Sequence, residues 1–154
     1  MEGTMHTESA RVVGLPETAV YQQQFTVRYD YPVYFTDGVF ERDNPLFEQV
    51  LRRFEPAKRH RFVVFVDANV AASWPALTYD IAAYARLHDA ALELVAEPEL
   101  VPPGEQSKND PGLVARLQQR MADLAIDRHS YVVGIGGGAV LDLVGYVAAT
   151  SHRG

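Results

Sequence analysis

The sequence predicts an α/β fold, a parallel sheet with helices packed on its faces. Three observations predict it. Short, largely apolar runs at Arg61–Val66, Ala91–Ala96 and Tyr131–Ile135 read as strands, the first and last with the composition of strands buried on both faces. Stretches with apolar residues at helical spacing alternate with these runs. Glycine and proline clusters punctuate the junctions. Strand and helix in strict alternation make a parallel sheet with right-handed crossovers.

The elements follow in order. Residues 1–20 are polar and aperiodic and are expected to form a loose N-terminal extension, ahead of one domain over 21–154. Phe25–Thr36, rich in Tyr, Phe, Val and Thr, reads as one or two strands. Asn44-Pro45 starts a helix with Leu46, Phe47, Val50, Leu51 and Phe54 on its apolar face, stopped by Pro56. After the Arg61–Val66 strand comes the turn Asp67-Ala68-Asn69. Ser73 can cap a helix that buries Trp74, Leu77, Ile81, Tyr84 and His88, with Pro75 in its first turn. Glu97–Asp110 reads as a loop between the Ala91–Ala96 strand and a helix opened by Asp110-Pro111, with Leu113, Leu117, Met121 and Leu124 on one side. The third buried strand leads through glycines into an apolar helix from about Gly138 to Thr150. The architecture is a Rossmann-like α/β layer.

Composition narrows the function. The 154 residues carry 14 basic and 20 acidic side chains, a net charge of −6, which argues against a broad grip on nucleic acid or an anionic membrane. No apolar run approaches the ~20 residues of a membrane helix. With no cysteine there is no disulfide scaffold, thiolate metal site or cysteine nucleophile, which fits a reducing cytoplasm. The five histidines share no ligand spacing, so no metal site is expected in this chain, and neither a serine elbow nor a Walker pattern occurs.

Ligands of open parallel sheets bind beyond the carboxyl ends of the strands. Three segments fall at that edge. The first is Gly134-Ile135-Gly136-Gly137-Gly138-Ala139-Val140-Leu141-Asp142. Its glycines either let backbone and helix N–H groups approach a phosphate or serve only as tight-turn or close-packing residues. Asp142 is the lone charge in an otherwise apolar helix, and it either caps a neighbouring loop or accepts hydrogen bonds from ligand hydroxyls. The second is Pro103-Gly104-Glu105-Gln106-Ser107-Lys108, where Glu105 and Lys108 either hold a polar ligand from two sides or form a surface ion pair. The third is Asp67 with Asn69, a position suited to an adenosine ribose or to an ordinary helix cap. Arg153, after the last helix, is either a phosphate ligand or a solvated cation.

Taken together, Pro103–Lys108, Gly136–Asp142 and Ala148–Gly154, with Asp67-Ala68-Asn69-Val70 upstream, resemble the N-terminal domain of the 3-dehydroquinate synthase family, sugar phosphate cyclases of two domains. The resemblance covers about residues 30–154. It implies NAD contacts from Asp67, Asn69, Pro103, Gly104, Glu105, Gln106, Ser107, Lys108, Gly137, Gly138, Ala139, Val140, Leu141 and Asp142. It also implies that Arg153 reaches substrate phosphate across a homodimer interface. The implied reaction converts 3-deoxy-D-arabino-heptulosonate 7-phosphate to 3-dehydroquinate and phosphate, in the shikimate pathway to aromatic amino acids. A divalent metal, zinc or cobalt, is implied in a helical C-terminal domain that this chain does not contain, so the chain is expected to be a truncated portion, inactive alone. Leu141 stands where the family usually has glycine, and His152 precedes Arg153 where another residue is more usual, which leaves other heptulose phosphates open as substrates. A fragment of a metal-dependent alcohol or glycerol dehydrogenase, or a non-catalytic nucleotide-binding module, are the alternatives.

Overall fold

The computed structural model describes residues 13–15, 18–20, 22–27 and 30–151. Two compact units divide the chain, Met1–Phe35 and Thr36–Gly154, whereas the sequence suggested a boundary after residue 20.

In the first unit, β1 (Val13–Leu15) pairs antiparallel with β2 (Thr18–Val20), where a loose extension was expected. The strands expected over Phe25–Thr36 do not form among its described residues. Side-chain preference alone makes no ladder, and Pro32 has no N–H to contribute to one.

The second unit is the parallel α/β layer that the periodicity implies. α1 (Leu46–Leu51) follows Asn44, whose Oδ1 accepts from the Leu46 N–H at 3.0 Å. The helix ends before Phe54, which is exposed rather than packed. β3 (His60–Asp67) is buried along nearly its whole length. α2 (Ala68–Ser73) and α3 (Leu77–Leu87) come next. Ser73 ends α2, donating to the Asn69 carbonyl, instead of capping α3, and Trp74 is partly exposed between the helices. The residue before a proline avoids helical backbone, so Trp74 is extended ahead of Pro75 and the helix restarts at Leu77. Leu77, Ile81 and Tyr84 are buried as expected. His88, just after α3, stacks on Tyr84 and pairs with Glu48 of α1.

β4 (Leu92–Leu94) and β5 (Glu99–Val101) both pair parallel with β3, the first with its start and the second with its end. β6 (Tyr131–Ile135) pairs parallel with Phe62–Val66 along the opposite edge. The outer edge is thus one interrupted strand. From His60 to Phe65 the partner moves from Leu92 to Glu99, so two extra residues loop out between β4 and β5. Pro98 lies in that interruption, which is why the sequence suggested a loop where β5 forms.

Alternation along β3 divides the core. Val63 and Phe65 face α4 (Pro111–Asp123) and α5 (Gly138–Ser151), meeting Leu113, Leu117, Met121, Val140, Leu143, Val144 and Val147. Phe62, Val64 and Val66 face α1 and α3, meeting Leu51, Leu77, Ile81 and Tyr84. The helix spacing explains the choice, since Leu113, Leu117 and Met121 recur every four residues. β6 is half-buried, less enclosed than its apolar run suggested. No helix among the described residues is long and apolar enough to cross a membrane.

Candidate functional site

Parallel register brings the carboxyl ends of the strands to one edge. Asp67 lies opposite Val101, and Val66 lies opposite Ile135. The segments 67–69, 102–110 and 136–142 therefore leave the sheet side by side. With the interrupted outer strand on one side of β3 and β6 on the other, strand order reverses beside β3, the place where open α/β sheets form ligand crevices.

Asp67 is buried and serves as the N-cap of α2, its Oδ1 accepting from the Asn69 N–H at 2.8 Å. Of its two expected roles, capping is the one this geometry fills. The Asn69 residue is exposed. Gly136 abuts Asp67, and a Cβ placed there would lie 2.8 Å from the Asp67 Cβ and 3.1 Å from that of Val140. Only glycine allows β6 and β3 to end this close together. Close packing was one of the readings the sequence allowed for these glycines, but the sequence could not say that Gly136 is the one that fills that role.

Gly137 and Gly138 are exposed, and a Cβ on either would meet nothing within 4 Å. The space above the first turn of α5 is open. Val140 is fully buried in the core, whereas Ala139 is half-buried and Leu141 exposed.

The loop 102–110 is shaped by its own polar groups. Gly104 has φ +87° and ψ 171°, a backbone that side chains rarely tolerate. A 3₁₀ turn over Glu105–Asn109 follows, with the Ser107 N–H bonded to the Gly104 carbonyl at 3.1 Å. Ser107 is buried and its hydroxyl donates to the Pro102 carbonyl at 2.6 Å. Its side chain points into the loop, while Glu105 and Gln106 are exposed and Pro103 is half-buried. Asp110 then caps α4, accepting from Gly112 and Leu113.

Lys108 joins the two motifs. Its Nζ lies 2.7 Å from Asp142 Oδ2 and 3.2 Å from Glu105 Oε2. The bond to Asp142, then that to Glu105, raises the Lys108 pKa above the ordinary lysine value. Asp142 is exposed, its side chain 65% accessible, so it is not a buried charge. Two carboxylates around one ammonium leave the cluster net negative, with acceptors available to solvent. Arg153 lies outside the described residues. Among those residues no group of three or more His, Asp or Glu side chains gathers as a metal ligand set.

Fold and site define a class, an α/β domain that gathers glycine, acidic and lysine-bearing segments at the carboxyl edge of a parallel sheet. Within that class the chain is similar to the N-terminal part of the 3-dehydroquinate synthase family, whose model, described as "3-dehydroquinate synthase N-terminal", matches residues 99–154. The resemblance read from the sequence is borne out. A 3-dehydroquinate synthase of Symbiobacterium thermophilum is 37% identical over 124 residues, covering 80% of this chain and 31% of that protein. One from Chlamydia muridarum is 44% identical over 55 residues, 36% of this chain and 14% of that protein. A pentafunctional AROM polypeptide of Schizosaccharomyces japonicus is 33% identical over 101 residues, 65% of this chain and 6% of that protein. The chain spans less than a third of the length of these relatives.

Proposed function

We propose that the chain is the NAD-binding portion of a sugar phosphate cyclase of the 3-dehydroquinate synthase type. The observation that carries this reading is the Lys108–Asp142 contact, which joins the loop motif to the glycine-helix motif at the ligand edge of the sheet.

The residues present suit a dinucleotide. The N–H groups of Gly138 and Ala139 at the start of α5 have no acceptor within the helix, and the uncrowded Gly137 and Gly138 leave them open to a diphosphate. The cluster of Glu105, Lys108 and Asp142 is net negative, so it suits ribose hydroxyls and amide groups better than a second anion. Asp142 and Glu105 accept, and Lys108 donates while holding both carboxylates in place. When bound, NAD would accept a hydride from a substrate carbinol and return it.

The substrate of the whole enzyme on this reading is 3-deoxy-D-arabino-heptulosonate 7-phosphate, converted to 3-dehydroquinate and phosphate in a homodimeric cytoplasmic enzyme. Arg153 is its phosphate ligand. The described residues offer no ligand set for a divalent metal.

Calorimetric titration with NAD⁺ tests the reading. Hydrogen bonds to a charged group contribute about 1.5–3 kcal/mol, so Asp142→Asn is expected to weaken NAD⁺ by about ten-fold or more. Because the side chain is exposed, thermal stability should barely change. Equal affinities of the wild type and Asp142→Asn, or no binding by the wild type, would contradict the assignment.

A further inference from the structure

The loop carrying Glu105 and Lys108 runs from the end of β5 to the start of α4, and the two elements it joins are tied by one carboxylate. Glu99, the first residue of β5, binds Arg116 of α4 through Oε1 at 2.5 Å and Arg120 of α4 through Oε2 at 3.2 Å. The two arginines lie one helical turn apart and take separate oxygens of the same group. Its side chain is 23% accessible, against 52% and 41% for the arginines. Among the described residues neither guanidinium has another carboxylate within ion-pair distance, and the far end of α4 is held separately, by Arg61 of β3 donating to the Leu124 and Ala125 carbonyls.

We infer that Glu99 is a positioning residue for the nucleotide site, its carboxylate locking α4 against β5 so that Lys108 is presented to Asp142. The inference rests on the function proposed above for what the site binds, but not for what Glu99 holds. The physical reason lies in the loop. Within 102–110 the ties are local, from Ser107 to Pro102 and Gly104 and from Asp110 to the first turn of α4. These fix the loop's shape and leave its placement to its ends. At the β5 end, Val101 is buried and paired with Asp67, so that end is anchored to the sheet. At the other end the apolar stripe of Leu113, Leu117 and Met121 holds α4 by its face, a contact that resists sliding along the axis less than it resists separation. Two guanidinia on one carboxylate, together with the Arg61 bonds at the helix C-terminus, set that axial position. Partly exposed ion pairs add little to global stability, so the consequence of the clamp is local order.

Amide hydrogen exchange on the chain and on Glu99→Gln tests this, with Ser107 as reporter of the loop and Val64 and Phe65 as reporters of global opening. Exchange at Ser107 is expected to rise about ten-fold with Val64 and Phe65 unchanged. Glu99→Asp should be intermediate, and the double variant Arg116→Gln/Arg120→Gln should match Glu99→Gln. NAD⁺ affinity in Glu99→Gln should fall by roughly two- to thirty-fold. Unchanged exchange at Ser107, or a rise shared equally by Val64 and Phe65, would overturn the positioning role. If NAD⁺ leaves the wild-type Gly137 and Gly138 amides unmoved, the nucleotide reading fails, while the exchange result still decides the role of Glu99.

Discussion

Replacing Phe65 with alanine is expected to cost about 3–5 kcal/mol, a large part of the ~5–15 kcal/mol that holds a typical domain together. Phe65 is fully buried at the centre of β3, the strand that pairs with β5 on one side and β6 on the other. Its ring fills the space between the sheet and the α4–α5 layer, among Leu113, Leu117, Val140 and Val144. These come from separate helices, so the layer cannot close over the vacancy without moving one of them away from the sheet. The cost therefore combines lost burial with an unfilled cavity. Urea denaturation should show a markedly lower midpoint with little change in slope. A midpoint shift equivalent to less than about 1 kcal/mol would mean that the core is not packed as described.

Gly136→Ala is expected to destabilise the chain by about 1–3 kcal/mol, and Gly137→Ala to leave it nearly unchanged. The two glycines are adjacent, but their surroundings differ. An added methyl at Gly136 would sit 2.8 Å from Asp67 Cβ and 3.1 Å from Val140 Cβ, neither of them the free end of a long side chain. Asp67 is held by its bond to the Asn69 N–H, and Val140 is locked in the core. At Gly137 the same methyl meets nothing within 4 Å. Since the clash moves Asp67 or the start of α5, Gly136→Ala should also weaken NAD⁺. Equal stability losses at the two positions, read by chemical denaturation, would contradict this close approach of β3 and β6.

What the sequence revealed and what it hid have physical reasons. β3 was legible because a strand buried on both faces must be apolar at every position, as Phe62–Val66 are. α4 was legible because Asp110-Pro111 starts it and a four-residue spacing faces the core. β5 was not, because three residues next to prolines carry no period, and its existence depends on pairing with β3. The expected strands over Phe25–Thr36 failed for the converse reason, having strand-forming side chains without a ladder. In the site, the residue types and their edge of the sheet were readable, while their partners were not. Asp142 looked like a charge stranded on an apolar helix until the fold brought Lys108 to it. Ser107 looked like a ligand contact, but its hydroxyl turns inward to Pro102. Glu99 carried no motif, since its role depends on α4 lying across β5.

The central claim is that a dinucleotide binds where Gly137, Gly138, Lys108 and Asp142 converge. Titrating the isotopically labelled chain with NAD⁺ while recording amide resonances tests it most directly. The account predicts saturable shifts at Gly136–Leu141 and at Glu105–Lys108, much weaker at equal concentration in Asp142→Asn, with Arg59–Arg61 at the opposite end of β3 unmoved. Shifts spread evenly over the chain, or confined to residues away from these two segments, would contradict it.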